Sequence, residues 1–105
     1  MSTGETYFQV AIEPDSEPTR VVASGELDAA TASQLAGALD GLPDGTTAVS
    51  LDLADVTFID SSGLRVIAAE VRRADETGRP YSVTAASEPV RRIFEMTGLG
   101  ELLTP

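Results

Sequence analysis

The apolar residues of this 105-residue chain change their spacing abruptly at Asp60-Ser61-Ser62-Gly63. Upstream, Val49, Leu51 and Leu53 recur at every second position, the period of a strand with one buried face. Ala54-Asp55-Val56-Thr57-Phe58-Ile59 then carries the chain to the change. Downstream, Leu64, Ile67, Ala68 and Val71, continued by Ala74, follow the three-and-four spacing of one helical face. Arg65, Arg72, Arg73 and Glu76 lie largely off that stripe. The pattern predicts a central strand over residues 48–53 and a helix over residues 61–77. Gly78 stands just past the helix, where a left-handed residue commonly ends it.

The rest of the chain has the same alternation of elements. Residues 7–12 are rich in strand formers, and so are residues 19–24 around Val21-Val22. The polar, proline-bearing stretch between them predicts an antiparallel hairpin. Gly25-Glu26-Leu27-Asp28 ends the second strand, and a helix follows to about Asp40 with Leu35, Ala38, Leu39 and Leu42 on one face. Thr31 and Gln34 have capping-box spacing, although Asp28 is an alternative cap. Gly37 weakens this helix, and Gly41 with Pro43-Asp44-Gly45 stops it. Strand, helix and strand in succession imply a parallel, right-handed crossover into the central strand. Residues 81–85 read as a further strand. Ser87 then caps a third helix, with Glu88 and Pro89 in its first turn, Val90, Ile93 and Phe94 inward and Gly98 at its end. Leu99, Leu102 and Leu103 supply a closing turn or short helix. The sum is one α/β domain with four or so strands in a mixed sheet. Helices lie mainly on one face, because the strands alternate rather than being apolar throughout.

Composition removes whole classes of chemistry. With no Cys there is no disulfide, thiol nucleophile or thiolate ligand, and with no His the usual neutral-pH base and commonest metal ligand are missing. No Gly-x-Ser-x-Gly elbow is present, and the absence of Lys excludes a Ser–Lys pair, so a serine hydrolase fails on parts. No enzyme, cofactor or metal is expected. Residues 1–60 hold one arginine, Arg20, against eleven carboxylates, whereas residues 61–105 hold six of each, so the net charge of −10 belongs to the first part. The plain reading of that balance is solubility for a small domain, and the sharper one is an acidic face that steers a basic partner. It leaves no footprint for nucleic acid, and no phosphate-cradling Gly-x-x-x-x-Gly-Lys loop exists. The first residues have neither a basic nor an apolar leader region, Ser2 stands where myristoylation needs Gly, and no apolar run is long enough to span a bilayer. A cytoplasmic location without membrane contact is the expectation.

The strand-to-helix junction is where function concentrates. A helix start offers unpaired N–H groups and the positive end of the macrodipole. Asp60 or Ser61 can cap it, and Gly63 lets a neighbouring surface come close. A phosphate on Ser61 would meet those N–H groups while adding about −1.5 to −2 charges beside Asp60, which switches a docking face without refolding. Ser62 is the competing hydroxyl. The plain reading of Asp-Ser-Ser before an apolar stripe is an ordinary helix cap.

Three segments, in order, resemble anti-sigma factor antagonists with a STAS fold. They are Gly25-Glu26-Leu27-Asp28, then Val56-Thr57-Phe58-Ile59-Asp60-Ser61-Ser62-Gly63-Leu64, then Val90-Arg91-Arg92-Ile93-Phe94-Glu95-Met96-Thr97-Gly98-Leu99. Asp-Ser-Ser-Gly-Leu is the specific element. The resemblance implies one STAS domain over residues 1–105, its core at about residues 7–103, with a mixed four- to five-stranded sheet. It implies phosphorylation of the serine after the motif aspartate, which matches Ser61, by an anti-sigma factor that is also a serine kinase. The resemblance also implies a serine phosphatase that resets the phospho-form. The implied docking surface is Asp28, Asp60, Ser61, Ser62, Gly63, Leu64 and Arg65, with Asp28 equally able to serve as a helix cap. Arg65 departs from the second glycine common in the family; its plain reading is a solvated helix-face arginine, and the alternatives are pairing with Asp60 or a phosphate on Ser61 and a change in which kinase is recognised. The alternative within the fold is a STAS scaffold or accessory subunit, in a stress-signalling assembly or in lipid or anion transport, without a phospho-switch.

Overall fold

In the computed structural model, residues 8–13, 15–43 and 45–100 are described, without the side chains of residues 75 and 77. The elements run β1 (Phe8–Glu13), β2 (Thr19–Leu27), α1 (Ala32–Asp40), β3 (Val49–Ile59), α2 (Ser61–Thr77), β4 (Tyr81–Ala86) and α3 (Glu88–Met96). Four strands form one mixed sheet in the order β1-β2-β3-β4. β1 and β2 make the expected antiparallel hairpin, and β3 pairs in parallel with β2 on one side and β4 on the other. Tyr7, Leu102 and Leu103 lie outside the described residues.

One sheet face carries the core. Val21, Ala23 and Leu27 of β2, Val49, Leu51, Leu53 and Val56 of β3, and Val83 of β4 are all buried there. Leu35 and Leu39 of α1, Ile67 of α2, and Val90 and Phe94 of α3 pack into the same continuous cluster. Each fully buried side chain of this size contributes roughly 1.5–3 kcal/mol by leaving water. Leu99 packs against the cluster just after α3, where Gly98 turns the chain at φ 83°.

Two strands run further than their alternation predicts. β2 continues through Gly25 and Glu26 to Leu27, and β3 continues from Leu53 to Ile59. Register shifts between Val22 and Ser24 and between Gly25 and Glu26 let the pair stay joined while their inward residues fall out of period two. Leu53, Val56 and Ile59 therefore all face inward at a spacing of three.

The helix ends also differ in detail. Thr31 precedes α1 but makes no side-chain cap; its hydroxyl donates to the Glu26 carbonyl at 2.7 Å. Asp28 Oδ1 instead accepts from the N–H groups of Ala30 and Thr31 at 3.0 and 3.2 Å, so the aspartate alternative is the one formed. Ser87 precedes α3, yet its hydroxyl donates to the Val56 carbonyl at 2.5 Å and ties α3 to the bulged strand rather than capping the helix. Gly78 ends α2 at φ 75°, as its position predicts.

Glu70 of α2 is 8% exposed, three residues after Ile67 and four before Ala74 on the buried side of the helix. It sits in a cleft of about 70 Å³ with Asp40, Arg73, Arg79 and Tyr81. Arg73 Nη1 donates to Asp40 at 2.5 Å and to Glu70 at 3.3 Å, joining the end of α1 to α2. Burial first, and the neighbouring Asp40 second, push the Glu70 carboxyl above its ordinary range against the pull of Arg73. A carboxyl whose folded pKa is raised stabilises the fold while protonated and gives that up as pH rises through the folded value. Glu70→Gln is therefore expected to be more stable than the parent at pH 7. The gain should shrink towards pH 4, as read by paired urea titrations. A glutamine variant that is less stable at pH 7 would mean that the Arg73 pairing outweighs burial.

Candidate functional site

The site is built where two neighbouring strands end. Leu27 pairs with Ile59, and the Asp60 N–H donates to the Leu27 carbonyl at 3.2 Å. Asp28 and Asp60 thus leave the sheet from adjacent positions, each at once becoming a cap. Asp60 has extended backbone, φ −116° and ψ −172°, and its Oδ1 accepts from the N–H groups of Ser62 and Gly63 at 2.8 and 3.2 Å. Asp60, not Ser61, is therefore the cap of α2. The first helical bond follows, from the Leu64 N–H to the Asp60 carbonyl at 3.0 Å.

This cap changes the expected anion chemistry. Two of the first-turn N–H groups that a phosphate on Ser61 was expected to meet are already held by the Asp60 carboxylate. The helix start remains electropositive, but those two donors come with a carboxylate attached.

The six residues from Asp60 to Arg65 divide by exposure. The Ser61 side chain is exposed at the first helical position, and Ser62 is half-buried. Leu64 is half-buried and packs against the core. Arg65 is exposed and forms no ion pair with a described residue. Gly63 is buried, and its role differs from the expected one. A Cβ there would lie 2.6 Å from Leu27 Cγ and 2.9 Å from the Leu27 carbonyl oxygen. The close approach that requires glycine is internal: the first turn of α2 rests directly on the end of β2.

Beside the junction lies a groove that the periodicity alone did not reveal. Phe58 and Ile59 of β3 form one wall, and Pro89, Ile93 and Met96 of α3 the other, around about 550 Å³. Phe58 is 47% exposed and Met96 78%, unusual for large apolar side chains. Pro89, Ile93 and Met96 follow the spacing of a second helical stripe, displaced from the inward one, and that spacing was the available signal. Among the described residues no group of three or more carboxylates is arranged to hold a metal ion, and no helix is long and apolar enough to cross a membrane.

A family model described as Mlab, STAS domain matches residues 10–104. An anti-sigma-B factor antagonist of Staphylococcus aureus (strain NCTC 8325 / PS 47) is 30% identical over 84 residues, which cover 79% of this chain and 78% of that protein. This chain belongs to the anti-sigma factor antagonists of the STAS family. Among solved structures, an anti-sigma factor antagonist from Mycobacterium paratuberculosis superposes with a TM-score of 0.81 at 33% identity, covering 94% of this chain and 86% of the other. The antagonist SpoIIAA shares the fold in its unphosphorylated form (TM-score 0.76, 20% identity, 91% and 86% coverage). It does so too in the phosphorylated form of the Bacillus protein (TM-score 0.69, 21% identity, 91% and 89% coverage). The α/β sheet of this STAS domain is the one those neighbours share.

The Leu27 contact gives a direct test of the junction. Gly63→Ala is expected to cost about 1–3 kcal/mol, because a backbone carbonyl cannot move aside as a side-chain tip can. Gly37→Ala, on an exposed part of α1 where an added Cβ meets nothing within 4 Å, should instead gain up to about 1 kcal/mol. Urea denaturation of both variants reads the contrast, and equal effects would refute it.

Proposed function

We propose that this chain is a phosphorylation-switched anti-sigma factor antagonist of the cytoplasm, acting as a single STAS domain. The unphosphorylated form binds an anti-sigma factor that is also a serine kinase and so frees its sigma factor. The exposure of the Ser61 side chain at the first position of α2, with Ser62 half-buried behind it, is the observation that carries this reading. The family relationship supports it, as does the fact that the fold exists in both unphosphorylated and phosphorylated forms in a structural neighbour.

The chemistry is a phosphoryl transfer supplied by the partner. The γ-phosphoryl group of ATP passes to Ser61 Oγ, the hydroxyl proton is lost, and ADP leaves. The product adds about −1.5 to −2 charges next to Asp60 and near the end of β2 that bears Asp28. A surface that docked with those two carboxylates would then present a strongly anionic cluster. The cap and the Leu27 contact hold the backbone, so the response lies in surface charge and shape rather than in refolding. Hydrolysis by a serine phosphatase restores the hydroxyl. Asp28, Asp60, Ser61, Ser62 and Arg65 form the docking surface in this reading. Gly63 and Leu64 position it from beneath.

Intact-mass spectrometry after incubation with ATP and candidate anti-sigma kinases, followed by site mapping, tests the reading. The expected result is one added phosphate, mapped to Ser61 and abolished in Ser61→Ala, which keeps the fold and stays constitutively bound. Ser61→Asp should bind more weakly in a titration, though less so than the phosphoprotein, since one charge replaces nearly two. Stable binding to an anti-sigma factor with no phosphate under any condition would favour a STAS scaffold without a switch.

A further inference from the structure

We propose that Arg65 is the intramolecular partner of a phosphate on Ser61, an ion-pair clamp one helical turn away that sets the charge and ionisation of the phosphorylated site. The inference rests on the phospho-switch reading of Ser61 and adds to it a residue and a bond.

Ser61 and Arg65 are both exposed residues of α2, four positions apart, so their side chains neighbour each other on one helix face. The surroundings of Arg65 set it apart from the other helical arginines. Arg72 has Glu76 four residues on, Arg73 has Glu70 three back, and Arg91 and Arg92 each have Glu88 and Glu95 within three or four positions. The neighbours of Arg65 at those spacings are Ser61, Ser62, Ala68 and Ala69. No carboxylate of α2 stands three or four positions from it, and two hydroxyl-bearing residues do, one of them the proposed switch serine.

The cap supplies the second part of the argument. Because Asp60 Oδ1 already holds the Ser62 and Gly63 N–H groups, a phosphate on Ser61 gains little from those donors. It meets instead the Asp60 carboxylate on the preceding residue and Asp28 at the end of the adjoining strand. Both oppose its second ionisation. Arg65 is the cation at helix spacing that counters them, and its planar fork suits two phosphate oxygens at once. The clamp would draw the phosphate along α2 and away from Asp60. It would also cancel part of the added charge, so the identity of residue 65 tunes how completely phosphorylation turns docking off.

The test is a ³¹P NMR pH titration of the full chain carrying genetically encoded phosphoserine at position 61, with Arg65→Gln and Arg72→Gln variants at low salt. The second ionisation of phosphoserine ordinarily falls near pH 6. The expected result is an apparent pKa about 0.3 unit higher in Arg65→Gln than in the parent, about a twofold change in the ionisation constant. Arg72→Gln removes the same net charge, and its titration should coincide with that of the parent. Coincident curves for Arg65→Gln and the parent, or equal shifts in both variants, would overturn the clamp. The encoded phosphoserine makes this readout independent of any kinase. Phosphate mapping by a kinase to a residue other than Ser61 would overturn the functional reading and not be confused with failure of the clamp.

Discussion

The contact between Leu27 and the first turn of α2 is the constraint on which the rest of the site depends. Leu27 ends β2, pairs with Ile59, accepts a hydrogen bond from Asp60 and fills the space that a side chain at position 63 would need. Those four relations fix where β3 stops, at what angle α2 departs and which serine faces outward. With the helix start seated on the strand end, Asp60 can cap only from its extended conformation, and Ser61 is left as the first exposed side chain. Placement of the proposed switch hydroxyl is therefore a packing result before it is a chemical one.

Much of this was legible in the residues, for identifiable reasons. α2 has a long, strictly periodic stripe with a glycine beyond it, and its predicted bounds match the observed ones. The hairpin follows from two β-rich runs and a short proline-bearing link. The strand ends were less readable, because bulges break the period that reveals strands. Leu53, Val56 and Ile59 face inward three apart, a spacing that in isolation resembles a helix more than a strand. The caps of the first two helices were read only as alternatives, and the reading of Ser87 as a side-chain cap fails: Thr31 and Ser87 have the composition of caps while their hydroxyls serve other carbonyls. Gly63 was read as a place for a partner, and its true neighbour is thirty-six positions upstream in the same chain, a long-range contact that no local pattern encodes.

Charge follows the same division between local and global. The excess of carboxylates before residue 61 is visible in the sequence, but its meaning depends on the sheet, which brings Asp28 and Asp60 to one end. Arg20 pairs with Glu13 and Asp52 along the strands, a long way from that end in the register of β2. The arginines of α2 and α3 have carboxylates three or four positions away in the sequence, except the one beside the motif. An acidic strand end next to a cation without a carboxylate at helix spacing differs from a uniformly acidic surface. It can discriminate between partners by the placement of their charges, beyond attracting them by net charge.

The buried carboxylate in α2 has a consequence of another kind. Glu70 lies nine residues from Ser61, about 13 Å along a helix of 1.5 Å rise per residue, and the two share no hydrogen-bond partner. Perturbations so separated generally add rather than couple. A change of pH therefore acts on how much of the protein is folded, whereas in the proposed switch phosphorylation acts on what each folded copy can hold. In that reading abundance and affinity, the two quantities that decide how much anti-sigma factor is sequestered, are set at separate positions of one helix and can vary independently.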